Sequence, residues 1–243
     1  MMEQIEGRNQ VLVGLKRDVV DAVYIADSAH GKIIEDIVLL ATQRMVDLRY
    51  IAKNELEQMS KTKNNQGVIA HLKSWEYTEL YSLLESASKK DNPFILILDH
   101  LKDPHNLGAI MRTADAAGVD GIIIPKDRSV DMNETVMRVS VGAALTVPLV
   151  KVTNLSQTLD ILKEEGFWIL GSDANAEKEI YDVNLNIPLV MMIGSEGKGL
   201  SNNLVKKSDF LVKLPMQGVI SSLNASVAAG IMMYEVVRQN KLT

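Results

Sequence analysis

From residue 93 onward, short unbroken apolar runs recur along the chain: FILILD at 94–99, GIIIP at 121–125, VPLV at 147–150, FWIL at 167–170, LVMMI at 189–193 and FLVKL at 210–214. Helical patterns separate most of them. Runs that are apolar on both faces predict strands covered on both sides, and their alternation with helices predicts a parallel α/β sheet. Residues 1–72 follow a different pattern. Short apolar runs (AVYIA at 22–26, VIA at 68–70) flank amphipathic stretches such as IIEDIVLLATQRM at 33–45. That pattern predicts a small α/β unit of strand, helix, strand, helix, strand. Between the two, KSWEYTELYSLLESASKKDN at 73–92 reads as a helical linker that stops before a proline. The expected organisation is a small α/β domain over 1–72, a linker over 73–92 and a larger α/β domain over 93–243.

Open parallel sheets bind ligands beyond the carboxyl ends of their strands, so the loops after FILILD, LVMMI and FLVKL are where chemistry is expected. In the first, DHLKDPHNLGAIMRTADAAG at 99–118, Asp103 and Pro104 read as N-cap and first helical residue, and Gly118 as the residue past the helix end. Leu107, Ile110, Met111, Ala114 and Ala117 form the apolar stripe. Gly108 and Arg112 sit one turn apart on another face, so Arg112 either meets a ligand or is solvated or paired with Asp115. Asn106, in the first turn, is either a polar contact or an exposed residue.

The second loop, IGSEGKGLSNN at 193–203, has three glycines in six residues, which suits backbone that approaches a ligand or turns sharply. It matches neither the phosphate-binding nor the dinucleotide-binding glycine pattern. Glu196 among those glycines either caps a helix or fixes an incoming group. The third loop, LPMQGVISSLNASVA at 214–228, places Ser221, Ser222 and Asn224 just ahead of an apolar helix. Such residues commonly cap helices; here they also lie where a ligand is expected.

Composition narrows the classes. The 243 residues include no Cys, which excludes disulfides and thiolate chemistry, and the four His have no metal-ligand spacing. No apolar run approaches the ~20 residues of a membrane span, and MMEQIEGRNQ has no signal-peptide character, so a cytoplasmic protein is expected. No G-x-S-x-G turn points to a serine hydrolase. A net charge of −5 means that any nucleic-acid contact must rest on local basic residues such as Lys61, Lys63, Lys126, Arg128 and Arg138. Lys61 and Lys63 lie in the polar loop SKTKNNQ at 60–66.

Three stretches, DPHNLGAIMRTADAAG, IGSEGKGLS and LPMQGVISSLNASVA, occur in the order and at the spacing seen in the SpoU/TrmH family of RNA 2′-O-methyltransferases. With the N-terminal unit, the resemblance covers nearly the whole chain. Within the family it looks most like the bacterial members that methylate a guanosine of large-subunit ribosomal RNA. The resemblance implies a knotted (trefoil) SPOUT catalytic domain, a homodimer, S-adenosyl-L-methionine as cofactor, and an N-terminal RNA-binding module similar to a ribosomal protein. Carried over by motif position, the catalytic set is Asn106, Arg112, Glu196, Ser222 and Asn224. The cofactor-binding set is Gly171, Ser172, Ile193, Gly194, Leu214, Met216 and Leu223, with Leu170 nearby. No metal and no membrane is implied. The chain departs from the pattern at Val141, where relatives commonly carry a smaller residue, and at Asn65, where close relatives often have His before Gln-Gly. A transfer-RNA ribose methyltransferase would carry the same catalytic residues, and an RNA-binding assembly factor with an idle site is the reading from another class.

Overall fold

The computed structural model describes residues 4–72, 75–195, 197–219 and 222–240. It divides into two compact units, residues 1–76 with 132–146, and residues 77–131 with 147–243.

The first unit runs β1 (Gln4–Glu6), α1 (Arg8–Lys16), β2 (Val20–Ala26), α2 (Lys32–Gln43), β3 (Asp47–Ile51), α3 (Lys53–Met59) and β4 (Val68–Leu72). Its sheet has the order β1-β4-β2-β3, with β2 and β3 parallel and β4 antiparallel to β1 and β2. Ile34, Ile37 and Ala41 are buried along α2 at helical spacing, as the amphipathic pattern requires. Two elements exceed the expected five. Strand β1 is three residues and α3 is seven, both too short for a hydrophobic period to declare itself.

The second unit begins with α4 (Leu80–Ala87), β5 (Phe94–Leu98), α5 (Pro104–Ala117) and β6 (Gly121–Pro125). The chain then supplies α6 (Glu134–Ser140) and a 3-10 turn at Ala143–Leu145, both part of the first unit. It continues with β7 (Leu149–Val152), α7 (Leu155–Glu164), β8 (Trp168–Ser172), β9 (Lys178–Glu179), β10 (Leu189–Ile193), α8 (Asn202–Lys207), β11 (Phe210–Lys213) and α9 (Ala225–Asn240). The seven strands are ordered β7-β6-β5-β10-β8-β11-β9 and pair in parallel throughout. All five residues of β5, of β6 and of β10 are buried, which is why those runs read as continuous apolar sequence. Strand β11 lies between β8 and β9, two strands joined by residues 173–177 alone.

Two boundaries differ from the expected ones. Residues 132–146, read as part of the C-terminal domain, belong to the first unit. The Arg17 guanidinium donates from Nε to the Leu145 carbonyl at 2.8 Å, the Trp75 indole donates to the Ala144 carbonyl at 3.0 Å, and Lys61 pairs with Glu134 at 3.1 Å. Residues 73–92, read as a linker, contain α4, which is no free connector. Leu83, Leu84 and Ala87 are buried in the second unit's core with Ile95, Ile97 and Val150, and the Thr78 amide donates to the Leu149 carbonyl at 2.9 Å. Neither tie is visible in local pattern, since both join residues far apart in the chain.

Candidate active site at the carboxyl ends of the second unit's strands

Helix α5 starts and stops where its sequence says it should. The Asp103 carboxylate accepts the His105 amide at 2.8 Å, Pro104 occupies the first turn, and Gly118 closes the helix in the left-handed conformation at φ 74°. Leu107, Ile110, Met111 and Ala114 are fully buried. Asn106 is buried as well, at 5% exposure, which separates it from a solvated first-turn residue. Arg112 is exposed and makes no ion pair with Asp115 or any other described residue. An exposed guanidinium with no partner among the described residues is available to an anion.

In the third loop Asn224 caps a helix and makes a further hydrogen bond. Its Oδ1 accepts the amides of Ser226 at 2.9 Å and Val227 at 3.4 Å, capping α9, while its Nδ2 donates to Asn106 Oδ1 at 3.0 Å. One side chain therefore ends a helix and ties the starts of α9 and α5 together across 118 residues of sequence. Ser222 is exposed, as are Leu223 and Met216, each at 39%. Glu196 and Ser221 lie outside the described residues.

The residues expected to hold a cofactor converge through strand register. Met192 of β10 pairs with Gly171 of β8, and Leu211 and Val212 of β11 pair with Gly171 and Ser172. The parallel ends at Ser172, Ile193 and Lys213 therefore lie side by side, and Gly194 and Leu214 follow directly. Gly194 admits no side chain. A Cβ there would stand 2.1 Å from the carbonyl carbon of Gly199, so the glycine loop folds back on itself at this point. This edge offers backbone polar groups at three adjacent strand ends and two half-exposed apolar side chains, Met216 and Leu223. Backbone polar groups beside exposed apolar side chains suit a ligand that is part polar and part apolar. No group of carboxylates and imidazoles among the described residues is arranged to hold a metal ion. No helix among them is long and apolar enough to cross a membrane.

Two buried acids were not singled out by sequence reasoning. Asp99, at 2% exposure, follows β5; its Oδ1 accepts from His100 Nδ1 and its Oδ2 accepts the Ser201 amide at 2.8 Å. An acid and a histidine directly at the carboxyl end of an apolar strand is the signal that marks it. In the first unit Glu6, at 7% exposure, accepts the Ser60 hydroxyl at 2.7 Å, the Lys61 amide at 2.6 Å and the Thr62 hydroxyl. Burial raises the Glu6 carboxyl, but the hydrogen bonds from Thr62, Ser60 and Lys61 outweigh it and hold the group below the usual carboxylate range. Nothing local in QIEGRN marks that role.

Residues 93–234 match the SpoU rRNA Methylase family, and residues 4–78 match the RNA 2′-O ribose methyltransferase substrate binding family. The chain is 44% identical over 239 residues to YacO of Bacillus subtilis, named as a TrmH family tRNA/rRNA methyltransferase, covering 98% of this chain and 96% of that one. It shares its fold with the AdoMet-bound rRNA methyltransferase of Sinorhizobium meliloti, at TM-score 0.80 and 22% identity over 97% of this chain and 87% of that one. A TrmH/SpoU tRNA modifying enzyme from A. aeolicus is 33% identical at TM-score 0.58, but over 67% of this chain and 83% of its own.

Proposed function

This chain belongs to the SpoU/TrmH family of RNA methyltransferases, and on that premise we propose that it moves a methyl group from S-adenosylmethionine to the ribose 2′-hydroxyl of a guanosine in large-subunit ribosomal RNA. The observation that carries the site is the Asn224–Asn106 hydrogen bond. It joins two motifs at the same sheet edge where Gly171, Ser172, Ile193, Gly194 and Leu214 converge. The ribosomal assignment is supported by the match of residues 93–234 to the SpoU rRNA Methylase family together with the substrate-binding match over 4–78.

The cofactor supplies an activated methyl group on a sulfonium. In our reading the backbone at the ends of β8, β10 and β11 would hold it, with Met216 and Leu223 offering apolar surface beside it. Aligning the ribose oxygen with the methyl carbon is the larger part of the catalytic gain. Arg112 stays protonated, so it cannot take the hydroxyl's proton; it grips a backbone phosphate and aims the 2′-oxygen. Ser222 and Asn224 orient the ribose, Asn106 holds Asn224, and the proton passes to the phosphate or to Glu196. We assign a trefoil knot to the second unit, supported by the insertion of β11 between β8 and β9. A homodimer is supported by Val227, Ile231 and Tyr234, which share one face of α9 and are 50%, 38% and 50% exposed. The cytoplasm is the compartment we assign.

The test incubates the protein and methyl-labelled S-adenosylmethionine with unmodified ribosomal RNA and, separately, unmodified transfer RNA, then maps the labelled ribose. Label on one guanosine of large-subunit RNA is the expected result. Label on transfer RNA alone would move the substrate. Absence of cofactor binding by calorimetry would favour the idle-site RNA-binding factor.

A further inference from the structure

At the carboxyl edge of the second unit's sheet, a cleft of about 470 Å³ opens over the loops that follow β6, β5 and β10. Its lining includes His100, Lys102, Arg128, Ser195, Lys198 and Ser201. The cofactor-binding residues proposed above follow β10, β8 and β11. The two regions are thus adjacent halves of one edge and share β10.

Some basic side chains of the second unit meet carboxylates, Lys90 with Asp120, Lys163 with Asp209 and Lys207 with Asp160, while others, Arg112 among them, meet none. Lys102, Arg128 and Lys198 are exposed and make no ion pair or hydrogen bond with any described residue. In a protein of net charge −5, three unpaired cations around one concavity form a local positive field. The acid in the lining, Asp99, is already engaged by His100 and by the Ser201 amide. His100 and Arg128 take left-handed backbone conformations, at φ 58° and 56°, as do five other non-glycine residues among those described. Here the Asp99 carboxylate holds His100, and through Ser201 it ties the β5 loop to the glycine loop.

We infer that this cleft binds consecutive phosphodiesters of the RNA strand that carries the target ribose, with Lys102, Arg128 and Lys198 as its contacts. The cations come from three separate loops and do not form one compact cradle, so they match a strand of repeated charges better than a single small anion. Their place beside the proposed cofactor edge puts the strand next to the methyl donor. The inference rests on the RNA reading above, and it specifies which face of the second unit the strand follows.

The test measures binding of the full-length protein to a labelled transcript of large-subunit ribosomal RNA between 50 and 200 mM KCl. The variant carries Lys102→Gln, Arg128→Gln and Lys198→Gln together. Each lost phosphate contact should flatten the slope of log affinity against log salt by about 0.7 to 0.9, so the triple variant should be shallower by about 2 and bind at least tenfold more weakly at low salt. Each single substitution should change the slope by about a third of that. Calorimetry with S-adenosylmethionine should give wild-type affinity, because the proposed cofactor residues are untouched. An unchanged salt slope, or a slope that falls together with cofactor affinity, overturns the inference. Binding is read without turnover, so a wild-type protein that binds this RNA in a salt-dependent way but transfers no methyl group sinks the proposed reaction and leaves the cleft assignment to stand on its own.

Discussion

In the first unit, Glu6 is buried at the end of β1 and gathers Ser60, Lys61 and Thr62; in the second, Asp99 is buried at the end of β5 and gathers His100 and Ser201. Both units fasten a polar loop with an acid that is nearly inaccessible. The partners differ. Those of Glu6 are Gln4, two residues back on the same strand, and residues of one short loop, so the acid organises a single surface feature bearing Lys61 and Lys63. Those of Asp99 come from its own loop and from a loop 102 residues away, so the acid ties the loops after β5 and β10 together. The first arrangement fixes one loop; the second fastens together loops that belong to two separate motifs. Buried carboxylates whose hydrogen bonds are satisfied rigidify what they touch, and here the two units use that rigidity for different ends.

The comparison predicts that chemistry and recognition fail separately. The largest effect belongs to the second unit. Arg112→Lys keeps the charge but loses the planar fork, and should lower single-turnover methyl transfer by about 100-fold while the melting temperature stays at the wild-type value. Near-normal turnover in that variant would remove the orienting role. In the first unit, Glu6→Gln should cost about 2 kcal/mol of stability, measured by urea denaturation, because a charged acceptor of several hydrogen bonds becomes a neutral one. It should weaken RNA binding while cofactor affinity is retained.

The same substitution has a pH signature. The folded pKa of Glu6 lies below its ordinary value of 4.5, so the unfolded chain takes up this proton first as pH falls. Its contribution is therefore complete above pH 4.5 and disappears as pH drops through the folded value. Melting curves from pH 7 to pH 3 should show wild type and Glu6→Gln converging at the acid end; a constant gap would contradict the assignment. The smallest effect is Asn224→Ala, which removes a helix cap worth about 1 kcal/mol and the bond to Asn106. Its loss of activity should exceed what that destabilisation explains, and a purely proportional loss would return Asn224 to capping alone.

Legibility in the sequence followed the length and burial of each element. The strands at 94–98, 121–125 and 189–193 are buried on both faces, so their composition announced them, and the limits of α5 were written in Asp103, Pro104 and Gly118. Strand β7 begins at Leu149, two residues later than the apolar run VPLV suggested, and Pro148 within that run lies outside the strand. Strand β9, two residues long, has no period to read. At the site, Asn106, Arg112 and Asn224 were named from motif position, and the structure adds that Asn106 is buried, that Arg112 is unpartnered and that Asn224 bonds to Asn106. Asp99 and Glu6 escaped notice because an acid's role depends on what surrounds it, and partners such as Ser60, Lys61 and Ser201 lie 54, 55 and 102 positions away.

The sequence by itself determined that this is an α/β chain with two kinds of unit, that three strand ends are where chemistry is to be sought, and to which family its motifs are similar. Those properties depend on local periodicity, turn chemistry and short motifs, each contained within a few residues. Only the tertiary structure decided that residues 132–146 fold with the first unit, that β11 enters between β8 and β9, and that three unpaired cations share a cleft beside the candidate site. The physical reason is the same in each case: hydrogen bonds and burial between distant segments choose among arrangements that local pattern leaves equally acceptable.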